Sequence, residues 1–287
     1  FFRPATMRIV IVVQAPRPAI TSSNGSGPVS CPPQERHRLG LAGDSWDSHG
    51  EVQKYLERDL RRQCESMLGD ADVGIRVAAA WGRPDPHLLD LARIEDADLV
   101  VVGTNQRHGV ERAWLGSVSR GILHHAPMSV ACIPASAAED PASGRIPVFK
   151  RVLVPTDFSP LANQAIPFAY STLHRGGGVC LLHVLEPTSP RARSVEARRG
   201  QVRKLEDRLR ALIPSEAAAR WLTTKVEVVE GRHPSTAICQ AAERFGADLV
   251  CIASHGRSGL SKAVLGSVAQ DVMASIRLPV LVVRQPQ

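Results

Sequence analysis

The stretch Ile252-Ala-Ser-His-Gly256-Arg-Ser-Gly259-Leu-Ser-Lys-Ala-Val-Leu-Gly266-Ser267-Val268 decides how this chain is read. It follows Ala247-Asp-Leu-Val-Cys-Ile252, an apolar run of buried-strand type, and leads into the helical apolar pattern of residues 268–276. Small residues after a strand let backbone N–H groups approach a ligand. The next helix adds its free N–H groups and the positive end of its dipole, so the combination favours an anion. The same layout occurs earlier: Ala97-Asp-Leu-Val-Val-Val-Gly103-Thr-Asn-Gln106, nine residues, then Gly116-Ser117-Val118. One unit is written twice, and the two copies differ where a phosphate would lie.

Around the later copy the pattern is regular. Arg151-Val-Leu-Val-Pro-Thr-Asp157 predicts a first strand, and Ser159 predicts the N-cap of a helix over 160–173. A turn at Gly176-Gly-Gly precedes a strand over 179–185, and a charged helix over 194–212 stops at Pro214. A third strand spans 224–229, Ser235 is expected to cap a helix over 236–245, and Gly246 ends that helix. The fourth strand, the loop above, the last helix and a strand over 279–283 complete the unit. Alternating strands and helices imply a parallel sheet covered on both faces, a doubly wound α/β unit. Such sheets bind ligands at the carboxyl ends of their strands, near the switch point. Asp157, Val184 and the loop at 253–256 all fall at strand carboxyl ends.

The first half matches less completely. Helices are expected over 48–68, 85–93 and 116–125, and strands over 73–79, 99–103 and 129–133. Before residue 48 there is one apolar run, Ile9-Val-Ile-Val-Val13, followed by a Pro-, Ser- and Gly-rich tract over 16–43 with no helical periodicity. The run fits either a first or a second strand. The second is favoured, because Val13-Gln-Ala-Pro16 aligns with Val184-Leu-Glu-Pro187 and no helix follows. This copy is then expected to lack its first strand, its first helix and any counterpart of Asp157. The boundaries read as 1–134, a linker at 135–148, and a complete unit at 149–287.

A chain of 287 residues with 44% hydrophobic and 22% charged residues is long enough for two globular domains. The net charge of +7 includes an arginine cluster at 191, 193, 198, 199, 203 and 208, but Glu196, Glu206 and Asp207 interrupt it. This reads as a solvated helix face. Aromatic residues are 4%, too few for stacking platforms, so a nucleic-acid partner is not expected. No apolar run reaches membrane-spanning length. The six cysteines form no CxxC pair, and Cys132, Cys180 and Cys251 lie in strand patterns, as in a reducing cytoplasm. The start, Phe1-Phe-Arg-Pro-Ala-Thr6, is no signal peptide and lacks an initiator Met, as a fragment or an internal start would.

Taken in order, Val154-Pro-Thr-Asp157-Phe-Ser159, Leu181-Leu-His-Val184, Ala247 to Gly256, Leu265-Gly-Ser-Val268 and Leu278-Pro-Val-Leu-Val-Val283 resemble the universal stress protein family in a tandem form. The nucleotide-binding branch of that family has Gly, two residues, Gly, nine residues, then Gly and Ser or Thr. The later copy reads Ala253, Ser-His, Gly256, nine residues, Gly266-Ser267; the earlier reads Gly103, Thr-Asn, Gln106, nine residues, Gly116-Ser117. The resemblance therefore implies ATP, with or without Mg²⁺, in the later copy and loss of binding where Gln106 intrudes. The residues it implicates are Pro155, Thr156, Asp157, Val184, Ile252, Ala253, Gly256, Gly266, Ser267 and Val268. It also implies that the last strands of the two copies pair as a pseudo-dimer, and leaves a homodimer open.

Each residue has a plainer reading. Asp157 could only cap a helix, Gly266-Ser267 could only start one, and His183 and His255 read first as packing residues. Catalysis finds no Walker motif, no GxGxxG after a strand and no nucleophile–base pair. Three readings stay open: an ATP-binding stress or regulatory protein, a nucleotide-free interaction module of the same fold, and a slow ATP hydrolase.

Overall fold

The computed structural model describes residues 49–68, 74–75, 83–104, 116–134, 148–187, 195–255 and 265–284. The chain divides into two compact units, Phe1–Glu95 and Asp96–Gln287. The expected strand or loop before residue 48, most of the expected strand at 73–79, Gln106, Gly256 and the linker up to residue 147 lie outside the described residues.

The first unit contributes α1 (His49–Leu68) and α2 (Pro84–Ile94). Along α1, Asp59 accepts hydrogen bonds from Gln63 at 2.8 Å and Arg62 at 3.3 Å, one turn on. Pro84 opens α2 with its φ already set, and Asp85 adds negative charge in the first turn. Asp85 is buried and held by both nitrogens of the Arg83 fork, at 3.1 and 2.9 Å.

The second unit holds the sheet. Its elements are β1 (Leu99–Thr104), α3 (Ser117–His125), β2 (Ser129–Pro134), β3 (Arg151–Pro155), α4 (Pro160–Asn163), α5 (Ala165–Thr172), β4 (Gly178–Leu185), α6 (Val195–Arg210), α7 (Glu216–Ala219), β5 (Thr223–Glu230), α8 (Pro234–Phe245), β6 (Leu249–Ala253), α9 (Ser267–Ser275) and β7 (Val280–Val283). The strands form one seven-stranded sheet in the order β1-β2-β7-β6-β3-β4-β5. Every neighbouring pair is parallel except β2 with β7. From β3 at the centre of the later repeat the chain winds out through β4 and β5, then returns to β6 and β7 on the other side. The switch point lies between β3 and β6. Val152, Leu153, Leu181, Val250, Val280 and Val282 have no exposed surface, as strands covered on both faces require.

The single antiparallel pair is the seam between the repeats, where the last strand of one meets the last strand of the other. Val130 stands opposite Val282, Ala131 opposite Leu281 and Cys132 opposite Val280. The seam is core: Val130, Cys132, Val280 and Val282 are fully buried. Neither terminal strand is therefore left with an open edge. Among the described residues β1 ends the sheet, with Val101 61% exposed, whereas its counterpart β6 is buried throughout.

Two local expectations need correction. The helix expected over 160–173 is two helices broken at Gln164. Pro167 has no N–H for the Asn163 carbonyl and its ring crowds that carbonyl, so the helix cannot run through. Ser235 is not a cap: Pro234 already occupies the first turn, His233 is the N-cap residue, and no side chain caps the helix. Between Pro214 and β5 the chain also carries the short α7, in a stretch to which the sequence reading assigns no element. Ser159 and Gly246 behave as expected. Ser159 Oγ accepts from the Ala162 amide at 3.1 Å, and Gly246 ends α8 at φ 64°.

Candidate functional site

The switch point brings together the carboxyl ends of β3 and β6. At the end of β3, Pro155 and Thr156 are buried. The Thr156 amide donates to the Leu182 carbonyl at 2.8 Å, extending the sheet by one rung. Its hydroxyl donates to Asn163 at 2.8 Å and accepts from the Phe158 amide at 2.9 Å, while its carbonyl takes the His183 Nδ1 hydrogen bond at 2.8 Å. His183 is thus a satisfied core histidine. Asp157 is half-buried, and one carboxylate oxygen accepts from the Ser159 amide at 2.9 Å. This fixes the carboxylate at the mouth of the crevice.

Between them Phe158 adopts φ +65°, a left-handed conformation that a bulky side chain rarely takes. Its ring has two close neighbours: the Arg208 guanidinium of α6 lies 3.9 Å from the ring centroid, and the His183 ring 4.6 Å away. Sequence reasoning missed both Phe158 and Arg208. A turn this tight is signalled by Gly, and Pro155-Thr-Asp-Phe-Ser159 contains none.

On the other wall, Ile252 and Ala253 are buried. Ala253 stands where the family pattern has Gly, and its φ is not positive, so its methyl group costs the backbone nothing. The Ser254 amide donates to the Val283 carbonyl at 2.9 Å, and the Ser254 carbonyl accepts from the Gly266 amide at 2.7 Å. The two ends of the loop are therefore pinned to each other. Gly266 is closely backed: a Cβ there would lie 3.2 Å from the Ser254 backbone oxygen, a tight approach. Among the described residues, its twin Gly116 has nothing within 4 Å of that position. Ser267 opens α9 exposed, Val268 is half-buried beside it, and Val184 is half-buried at the end of β4. The structure places nine of the ten expected site residues at the carboxyl ends of β3, β4 and β6 or at the start of α9; Gly256 lies outside the described residues.

Beside this crevice the seam adds a residue that sequence reasoning passed over. Arg284 follows β7 and is only 7% exposed. Its amide donates to Ser129 Oγ at 3.2 Å, and its guanidinium donates to the Leu123 carbonyl in the last turn of α3. A residue of the later repeat therefore caps a helix of the earlier one, where the dipole is negative. Burial and the nearby Arg284 charge both push the His255 imidazole below its usual value.

Burial raises the Cys132 and Cys180 thiols to about 12 and Cys251 further, so these are packing groups. Among the described residues no cluster of three or more His, Cys, Asp or Glu could hold a metal, and no helix is long and apolar enough to cross a membrane.

The model of the universal stress protein family matches this chain twice, over residues 33–134 and 149–284. A universal stress protein of Mycobacterium tuberculosis, Rv1996, is 28% identical over 297 aligned residues, covering 99% of this chain and 89% of its own. Among solved structures, protein PA1789 of Pseudomonas aeruginosa superposes with a TM-score of 0.59 at 16% identity, over 98% of this chain and 94% of its own. A universal stress protein from Archaeoglobus fulgidus does so with a TM-score of 0.51 at 21% identity, over 83% and 84%. These two likenesses concern the fold. With two matched segments spanning most of its length, the chain belongs to the universal stress protein family.

Proposed function

We propose that this chain is an ATP-binding stress-response or regulatory protein that holds one nucleotide in its C-terminal repeat and has no catalytic activity of its own. In this reading the N-terminal repeat, residues 1–134, is a scaffold joined through 135–148 to the binding repeat at 149–287, and the protein works in the cytoplasm. The observation that carries the proposal is the pinned loop at the switch point: Ser254 and Gly266 bonded at 2.7 Å, facing the fixed carboxylate of Asp157 across β3 and β6.

These residues suit a phosphate-bearing ligand. Gly266 leaves its position bare of a side chain, as a close approach to a polyanion needs. The first turn of α9 brings unpaired N–H groups, and Ser267 adds a hydroxyl. Gly256, Ala253 and Val268 complete the backbone around the phosphates. Asp157 accepts from the adenosine hydroxyls, over the wall formed by Pro155 and Thr156. Val184 and Ile252 offer apolar surface and backbone to the adenine. Mg²⁺, when bound, neutralises part of the phosphate charge.

The test is calorimetric titration of ATP into the full chain, with and without Mg²⁺, beside Asp157→Ala. One site per chain is expected, weakened about tenfold or more in the variant by loss of a charge-assisted hydrogen bond. Two equivalent sites, or no binding at all, count against it; the latter leaves the nucleotide-free interaction module as the reading to pursue.

A further inference from the structure

Arg284 and His255 each bury a nitrogen that nothing among the described residues bonds. Among the described residues neither Arg284 Nε nor His255 Nε2 has a hydrogen-bond partner, and both atoms are buried. No carboxylate among the described residues forms an ion pair with Arg284, although taking a guanidinium out of water costs several kcal/mol. Capping α3 uses one terminal nitrogen of the fork and leaves the Nε–H idle. The His255 ring is oriented by Ser254, whose Oγ lies 3.1 Å from Nδ1. When that hydroxyl donates, the ring proton stands on Nε2, and a second donor is left without an acceptor.

The two residues are neighbours by topology. Strands β6 and β7 are parallel with Ala253 beside Val283, so the chain leaves them at Ser254–His255 and at Arg284 at the same end of the sheet. The Arg284 charge acts on His255 and also on His124 in α3. A permanent cation and two imidazoles thus share one corner with no acid opposing them among the described residues. Two buried donors beside an unbalanced positive charge are what an oxyanion satisfies.

We propose that Arg284 Nε and His255 Nε2 form an anion-binding point at the seam between the repeats, taking a phosphate group. That group is either the terminal phosphate of a nucleotide or free inorganic phosphate. Among the described residues the other repeat does not duplicate it, because Pro134 ends β2 where Arg284 follows β7 and offers no donor. An anion seated there contacts the residue that caps α3, so occupancy strengthens the junction between the repeats.

The experiment uses the full chain with three probes: inorganic phosphate, ADP and ATP. Binding is followed by calorimetry and by the Arg284 Nε–H signal in ¹H–¹⁵N spectra. His255→Ala leaves the cap on α3 intact, and Arg284→Lys keeps the charge but loses the Nε–H. Phosphate or ATP should shift the Nε–H signal, and each substitution should weaken that probe about tenfold. A response to phosphate with no effect of ATP assigns the site to the free ion and stands even if no nucleotide binds. A loss confined to ATP, with ADP unchanged, assigns it to a terminal phosphate. If no probe moves the Nε–H signal, or if His255→Ala binds every probe as the unmodified chain does, the site is refuted. ATP bound equally by all forms would leave the nucleotide reading standing without it. Should Arg284→Lys fail to fold, His255→Ala and the Nε–H signal carry the test.

Discussion

Replacing Phe158 by Gly and, separately, by Ala tests whether the loop that carries Asp157 is held under strain. An L-residue in the left-handed region costs about 1–2 kcal/mol, and Phe158 has φ +65°. Both substitutions remove the ring, losing the Arg208 contact at 3.9 Å, worth about 0.5–2 kcal/mol, and the His183 contact at 4.6 Å, worth about 0.5–1.5 kcal/mol. They differ only in the backbone. At an ordinary loop position Ala is more stable than Gly by about 0.4–1 kcal/mol, through the entropy of the unfolded chain. Here the strain opposes that term and outweighs it, so Phe158→Gly should be the more stable of the two by about 1 kcal/mol. Both should fall about 1–3 kcal/mol below the unmodified chain. Urea unfolding followed by circular dichroism reads the midpoints, and equal slopes confirm that the surface exposed on unfolding has not changed. An Ala variant as stable as the Gly variant would refute the strain, leaving Phe158 as an ordinary packed ring.

Three further outcomes follow from the seam, the pinned loop and the corner histidines. Leu281→Asp places a carboxylate opposite Ala131 in a buried strand pair and should cost about 3–5 kcal/mol. After proteolysis within 135–148 its fragments should separate on size exclusion while those of the unmodified chain stay together; separation of the unmodified fragments would sink the seam as the holding contact. Gly266→Val should weaken ATP binding at least tenfold and destabilise by about 1–3 kcal/mol, because even its Cβ lies 3.2 Å from the Ser254 oxygen. Gly116→Val, at a twin position with nothing within 4 Å among the described residues, should leave ATP binding unchanged, and equal losses in both would contradict the assignment. Burial, then neighbouring cations, hold His124 and His255 below their usual 6.5, so the folded state binds fewer protons than the unfolded one in that range. Their contribution to stability is full above pH 6.5 and is lost as pH falls from there towards the depressed folded values. Urea midpoints between pH 5 and 8 should show this slope, reduced in His255→Ala.

How much of this was legible in the sequence depends on where each signal resides. The strands were legible because a sheet covered on both faces writes continuous apolar runs, as in Leu249-Val-Cys-Ile-Ala253. Gly246 was legible because a left-handed helix end selects Gly locally. Pro167 carried an equally local message, a broken helix, but the apolar pattern on either side of it outweighed that message in the reading. Phe158 could not be found this way. Its ring contacts are with Arg208 and His183, residues far along the chain that close on the ring only after folding, and a signal built from distant contacts leaves no mark in a short window.

The same distinction separates the two glycines that open α3 and α9. Gly116 and Gly266 stand in the same Leu-Gly-Ser-Val context, and no local rule can tell them apart. What differs is the backbone behind them: Gly266 bonds to the carbonyl of Ser254, whose amide is itself tied to β7, whereas Gly116 meets nothing within 4 Å among the described residues. Arg284 makes the point most sharply. As the first residue after an apolar strand near the chain end, it reads as a solvated cation. It is buried because β7 pairs antiparallel with β2, and that pairing alone brings Ser129 and the carboxyl end of α3 onto it. A repeat read in isolation therefore yields its strands and its glycine-rich sequence, but not the residue through which the two repeats meet. Substitutions confined to the seam are accordingly the ones that distinguish two tandem domains from one jointly built site.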